Sequence, residues 1–414
     1  MNGSRLRNTV VASLTLTVLV VGASGADVAT DANARAAEIA STIRQTPYAV
    51  RAMALVQVSV FDAVQSITGR HRPLILTTQS SPDASVEAAV AAATHAALLA
   101  TVPAEKARID ADYQRALAML PAGTARTAGI AAGVRAADAV VAARARDGYD
   151  VPNAWPQRTD PGRWVPTALP LAPHWGRRTP WVMTVGSQFR PPAPPALDSE
   201  VWKRDLAEIT SLGERNSTRR TPAQTAMARF WDTTSPSVYW PVVRSVASAG
   251  SPDVNRSTRL LAEAAIAMDD AMIAVFDAKY AYEFWRPITA IRNAPDAVRD
   301  STWQPLIETP MHPEYPCAHC IVSASVGAVL EFEIGDRPSP TLRSTSPTGA
   351  GVERTWATPA EFVREVSEAR ICAGVHYRNS TEVGQMMGRK VAELAKRRFP
   401  DAPAAQRNSN QTRK

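Results

Sequence analysis

Cysteine is nearly absent from this chain. Cys317, Cys320 and Cys372 are the three in 414 residues, all in the last third. That number is too small for a disulfide scaffold and points to a local role. Aromatic residues make up 6% and β-branched runs are short, whereas alanine is abundant, so an all-α protein of helix packed on helix is expected. Long apolar runs are also missing, with one exception at the N-terminus, and no other segment reads as long and apolar enough to span a bilayer. The apolar share of 45% is ample for one large core or two ordinary ones.

The exception carries Arg5 and Arg7, then an uncharged stretch from Asn8 to Ala26 with small residues at Ser24 and Ala26. A basic start, a short apolar centre and small residues at a cleavage point describe a secretory signal over 1–26, so an exported protein, periplasmic or secreted, is expected. Losing Arg5 and Arg7 lowers the formal charge from +7 to +5. No basic stripe interleaved with aromatics accompanies that charge, which excludes a nucleic-acid partner; a homo-oligomer is left open.

The remainder divides by pattern. Residues 27–148 form a helical lobe of alanine-rich amphipathic stretches, in which His95 reads as a core histidine and Asp62 as a buried or capping carboxylate. Residues 149–197 form a Pro- and Trp-rich connection, expected to lie across the surface and to line a substrate channel. Residues 198–400 form a second helical bundle, followed by a polar tail at 401–414. Within that bundle, helices are expected from Asp198 to Leu212, from the capping box Thr221-Pro-Ala-Gln, over about 257–282, from Thr358-Pro-Ala-Glu to Cys372, and from Ser380 or Thr381 to about Arg398.

Three segments of the bundle carry groups able to do chemistry. In Lys279-Tyr-Ala-Tyr-Glu-Phe-Trp-Arg286-Pro287 the two cations are seven residues apart, which places them on one face of a continuous helix. In His312-Pro-Glu-Tyr-Pro316-Cys317-Ala318-His319-Cys320 a histidine opens an apolar helix, where free backbone N–H groups and the dipole favour an anion. In Arg370-Ile-Cys-Ala-Gly-Val-His376 a break near Gly374 is required if both charged groups are to share a site. Taken alone, Lys279 and Arg286 are as simply explained by solvent or by pairing with Asp277 and Glu283. His312 by itself reads as a turn residue before Pro313.

Together the segments resemble the signature of the vanadium-dependent haloperoxidases and the type 2 phosphatidic acid phosphatase superfamily. That signature runs lysine, six residues, Arg-Pro; then Pro-Ser-Gly-His; then Ser-Arg, five residues and histidine. The Arg51–Ile67 stretch, the Gln188-Phe-Arg-Pro-Pro turn and the Lys279-to-Pro287 segment are similar to the longer bacterial haloperoxidase-type proteins. The resemblance implies a helical bundle with an additional N-terminal lobe. It implies oxyanion binding by Lys279, Arg286, Cys317, Ala318 and Arg370, with His376 as vanadium ligand or phosphoryl nucleophile and His319 as the acid–base group. His312 would then shape the halide environment. The implied cofactor is vanadate, with hydrogen peroxide and bromide or iodide as substrates; the alternative is an exported phosphatase acting on a phosphomonoester through a phosphohistidine. The signature's serine, glycine, second serine and following aspartate are Cys317, Ala318, Ala369 and Ser380 here. With that aspartate gone, Asp232 or Ser380 is the expected orienting group for His376. Two further alternatives are an inactive oxyanion-binding protein and a zinc or redox site built on Cys317, Cys320, Cys372 and His376.

Overall fold

The computed structural model describes residues 27–156, 158–166, 168–295 and 299–399. The expected signal at 1–26 and the tail at 401–414 lie outside the described residues. Five helices form the first lobe: α1 (Val28–Ala40), α2 (Thr46–Thr68), α3 (Val86–Thr101), α4 (Lys106–Ala118) and α5 (Thr124–Arg144). Eight follow the connection: α6 (Glu200–Leu212), α7 (Pro222–Phe230), α8 (Pro236–Ala247), α9 (Val254–Tyr282), α10 (Pro287–Arg292), α11 (Ala318–Ile334), α12 (Pro359–Cys372) and α13 (Arg378–Arg398). Among the described residues the one sheet is an antiparallel pair, β1 (Leu342–Thr345) and β2 (Glu353–Trp356), so the all-α expectation holds apart from a hairpin.

Local signals set several helix ends. Thr221 caps α7 with the reciprocal Gln224 bond, and Thr358 caps α12 by accepting the Glu361 N–H. Ser380 caps nothing: α13 starts at Arg378 with Tyr377 as its cap, placing Ser380 inside the first turn. His95 Nε2 meets Asp110 at 2.9 Å, and Asp62 is buried where it accepts the backbone N–H groups of Leu74, Ile75 and Leu76.

The two lobes share one core. α2 lies against α9, and α9 in turn packs on α11 and α13. By length and composition α2 passes for a membrane span, which corrects the expectation that no segment beyond the N-terminus does. Its most apolar window is 100% buried inside the protein, as befits a helix apolar on every side. α13 crosses α11 closely because Gly388 has no Cβ; a methyl there would stand 2.3 Å from the Ile321 carbonyl oxygen. That crossing fixes the His319 helix against the helix that follows His376.

The 149–197 connection runs over the surface at both ends, but its middle is buried. Trp164 and Trp175 are buried, and Arg178 is wholly enclosed between Asp147 at 2.6 Å and Asp269 of α9 at 2.8 Å. Next to it Asp270 accepts the N–H groups of Trp181, Val182 and Met183. A buried charge is tolerated only when paired, so these carboxylates moor the connection along α9.

Candidate active site

Lys279 sits in the last turn of α9, which stops at Tyr282 because Glu283 turns left-handed with φ 52°. Arg286 therefore does not continue the same helix, contrary to the seven-residue argument. It is the cap of α10, with Pro287 at the first helical position. The chain reversal is held by Glu283, whose carboxylate accepts the Trp155 indole N–H at 2.8 Å and whose carbonyl accepts the Trp164 N–H at 2.6 Å. The two cations still converge, each bound to the 312–314 segment. Lys279 Nζ donates to the carbonyls of Pro313 at 2.9 Å and Glu314 at 2.8 Å, and Arg286 Nε donates to the His312 carbonyl at 3.0 Å.

The third cation, Arg370, projects from the last turn of α12 and is fully buried. One of its terminal nitrogens donates to the Trp231 carbonyl, while Nε and Nη2 have no hydrogen-bond partner. After Cys372 the chain breaks as required. Gly374 takes φ 80°, and a Cβ there would meet the Gly213 carbonyl oxygen at 2.4 Å. The break turns His376 back toward the cations, with its Nε2 3.3 Å from Arg286 Nη1.

Neither Asp232 nor Ser380 orients His376 directly. The carboxylate that does is Glu314, whose Oε1 lies 2.8 Å from His376 Nδ1 and also accepts the Tyr377 N–H at 3.1 Å. Asp232 is exposed and lies instead within electrostatic reach of Arg370. Ser380 stands beside Glu314 and favours its charged form, and the Ser380 carbonyl accepts the Cys317 N–H at 3.2 Å. Glu314 escaped the sequence reading because a glutamate in a proline-rich turn carries no local mark of pairing with a histidine 62 residues away. With Nδ1–H committed to Glu314, the Nε2 lone pair of His376 is left for a ligand.

His319 occupies the first turn of α11, and its Nε2 is buried with no partner. Ala318 is the first residue of that helix and Cys317 is its cap. His312 packs its ring 5.4 Å from that of Phe276 and receives Arg286 Nη2 at Nδ1, 3.0 Å away. Cys317 and Cys320 are joined as a disulfide, and Cys372 is a free, buried thiol in a separate apolar cluster with Val375 and Ile307. Those sulfurs are thus not a ligand set. Among the described residues no group of three or more His, Cys, Asp or Glu side chains is placed to hold a metal ion.

Electrostatically the site lacks negative charge. Lys279, Arg286 and Arg370 are buried with Glu314 as the carboxylate in their midst. Burial and then repulsion from Arg286 hold the Lys279 amine well below its ordinary value, and burial pulls both guanidinium groups down, although they stay charged at neutral pH. Burial also depresses His312, His319 and His376, with the neighbouring cations adding to the effect, while it pushes Glu314 up to about 7. Unpartnered guanidinium N–H groups, an unpartnered imidazole nitrogen and surplus positive charge fit a tetrahedral or trigonal-bipyramidal oxyanion such as vanadate or phosphate.

A family model for the second helical-bundle domain of vanadium chloroperoxidase matches residues 259–402, which contain Lys279, Arg286, His312, Glu314, His319, Arg370 and His376. The fold of a bacterial vanadium-dependent iodoperoxidase superposes with a TM-score of 0.78 and 25% identity, over 90% of this chain and 97% of that one. The second bundle thus matches the vanadium chloroperoxidase domain in sequence, and the chain as a whole has the fold of a vanadium haloperoxidase. A holo bacterial vanadium-dependent chloroperoxidase shares the fold with a TM-score of 0.67 at 18% identity, covering 84% of this chain and 90% of that one. The vanadium chloroperoxidase of Curvularia inaequalis is 29% identical over 191 residues, 37% of this chain. That match spans 31% of the fungal enzyme's own length. The haloperoxidase-like likeness thus covers both lobes in structure and the α9-to-α13 region in sequence.

Proposed function

We propose that the chain is an exported vanadate-dependent haloperoxidase that oxidises bromide or iodide with hydrogen peroxide. The observation that carries this reading is His376, fixed at Nδ1 by Glu314 with Nε2 turned into the cations. His376 Nε2 would hold the vanadium, while Lys279, Arg286, Arg370 and the backbone at Cys317 and Ala318 would hold the oxygens. When bound, vanadate supplies a Lewis-acid centre that activates peroxide toward halide without changing its own oxidation state.

The chain's own residues do the rest. Glu314 keeps His376 in the tautomer that presents a lone pair at Nε2. Arg370 places two unpartnered N–H groups where negative charge gathers. His319, neutral and unpartnered at Nε2, is placed to take a proton from a peroxide oxygen and return it to a leaving oxygen. His312, packed on Phe276 beside Arg286, gives the halide side an apolar wall and one cation.

The same Nε2 is also a nucleophile for a phosphomonoester, which is the rival reading and shares the Glu314 contact that orients the imidazole. One comparison separates them: halide oxidation with added vanadate and peroxide, against phosphomonoester hydrolysis without vanadate. The haloperoxidase reading expects the first to rise with vanadate and to vanish in His376→Ala. Hydrolysis that vanadate inhibits, with no halide oxidation, would replace it. Vanadate binding with neither activity would leave an oxyanion-binding protein.

A further inference from the structure

Cys317 occupies the place of the family serine, so a sulfur stands at the first turn of an oxyanion site. Its Sγ is bonded to Cys320 and accepts the Cys320 N–H at 3.2 Å, while His319 lies between the two in sequence and in reach of all three cations. Both cysteines are 0% exposed. If peroxide of the proposed reaction reaches a lone thiol at this helix cap, the sulfur climbs from sulfenic to sulfinic acid and adds a negative charge beside the turn that carries His319. A neighbouring thiol one helical turn on, at a Cα separation of 5.3 Å, stops that climb at a neutral disulfide.

We propose that Cys317 and Cys320 are a peroxide-oxidised pair in which Cys320 protects the oxyanion site from becoming charged. The chemistry balances with peroxide as oxidant. Cys317 sulfur attacks one peroxide oxygen, the O–O bond breaks, and a sulfenic acid and water form. Cys320 sulfur then displaces the sulfenic hydroxyl, which leaves as a second water carrying the thiol protons, so two thiols and one peroxide yield one disulfide and two waters. Without Cys320, a second peroxide oxidises the sulfenic acid to the sulfinic acid and releases another water. Cys372 serves as an internal reference, because it lies in a separate apolar cluster with Val375 and Ile307 and has no second thiol beside it.

This inference rests on the proposed function only in that peroxide enters the site, and its test needs neither vanadate nor halide. The full-length protein is reduced, treated with peroxide, freed of it, and examined by peptide mass mapping and by inorganic phosphate binding. Wild type should lose about 2 Da across the Cys317–Cys320 peptide and bind phosphate as it does without treatment. In Cys320→Ala, which keeps the Cβ that packs near Gly384, Cys317 should gain about 32 Da and phosphate affinity should fall by roughly tenfold or more. Cys317→Ser should bind phosphate equally before and after peroxide. Should Cys320→Ala fold poorly, Cys320→Ser supplies the same comparison. A Cys317 thiol that survives peroxide in either Cys320 variant overturns the proposal, as does equal over-oxidation of Cys317 in wild type. A protein without halide oxidation that still shows this pattern keeps the sulfur proposal and loses only the haloperoxidase reading.

Discussion

Glu314 Oε1 and His376 Nδ1 stand 2.8 Å apart, and both groups are buried. The contact joins the proline-rich turn before α11 to the link between α12 and α13, so the two segments that carry the site's histidines are locked by one carboxylate. It leaves His376 Nε2 pointing at Arg286, where an oxyanion would enter.

Glu314→Gln replaces the carboxylate that orients the imidazole while keeping the shape. Vanadate affinity should fall by about 10- to 100-fold, as for other partners that orient a metal-binding histidine. Asp232→Asn, which touches the site only through Arg370, should change it by less than about threefold. Titration of both variants with vanadate checks this; equal losses would return Asp232 to the orienting role.

Anion binding should take up protons. The Lys279 amine is held well below its ordinary 10.5 by burial and by Arg286, so its contribution to folding is present above 10.5 and lost as pH falls toward the depressed value. A bound phosphate cancels the repulsion and raises the amine again. Between the free and bound values each anion then brings a proton with it, and affinity for a given phosphate species rises as pH falls. Calorimetry around pH 8 in buffers of different ionisation enthalpy should give net uptake. Proton release would contradict a Lys279 amine whose proton affinity is depressed in the empty site.

The mooring of the connection should be costly to break. Asp269→Ala leaves Arg178, whose side chain is 0% exposed, with Asp147 alone, and should destabilise by about 3–5 kcal/mol in urea unfolding. The Arg190–Asp277 pair, with Arg190 42% exposed, should cost under about 1 kcal/mol on Asp277→Ala. Similar values for the two would mean that burial does not set the difference.

Gly374→Ala should damage both fold and site. The residue would occupy φ 80° and place its Cβ against the Gly213 carbonyl oxygen, so a loss of at least about 1–3 kcal/mol is expected. Because His376 follows two residues later, phosphate affinity should drop even at temperatures where the variant is folded. Unchanged binding would show that the break is not what aims His376.

Local signals were legible in the sequence wherever the physics is local. The caps at Thr221 and Thr358 and the break at Gly374 follow from residue type and short spacing, whereas the convergence of Lys279, Arg286, His319, Arg370 and His376 was legible only through the resemblance to a family signature. Two local rules were overridden. Glu283, held by Trp155, ends α9 before Arg286, and Tyr377 rather than Ser380 caps α13. The mooring of the middle of the 149–197 connection depended on Asp147 and Asp269 meeting Arg178, and the orienting carboxylate on Glu314 meeting His376. The sequence by itself determined which groups could bind an oxyanion, because charge and proton affinity belong to the side chain. Only the tertiary structure decided which carboxylate faces which cation or histidine, because a desolvated charge takes the partner that packing brings within about 3 Å, however far away it lies along the chain.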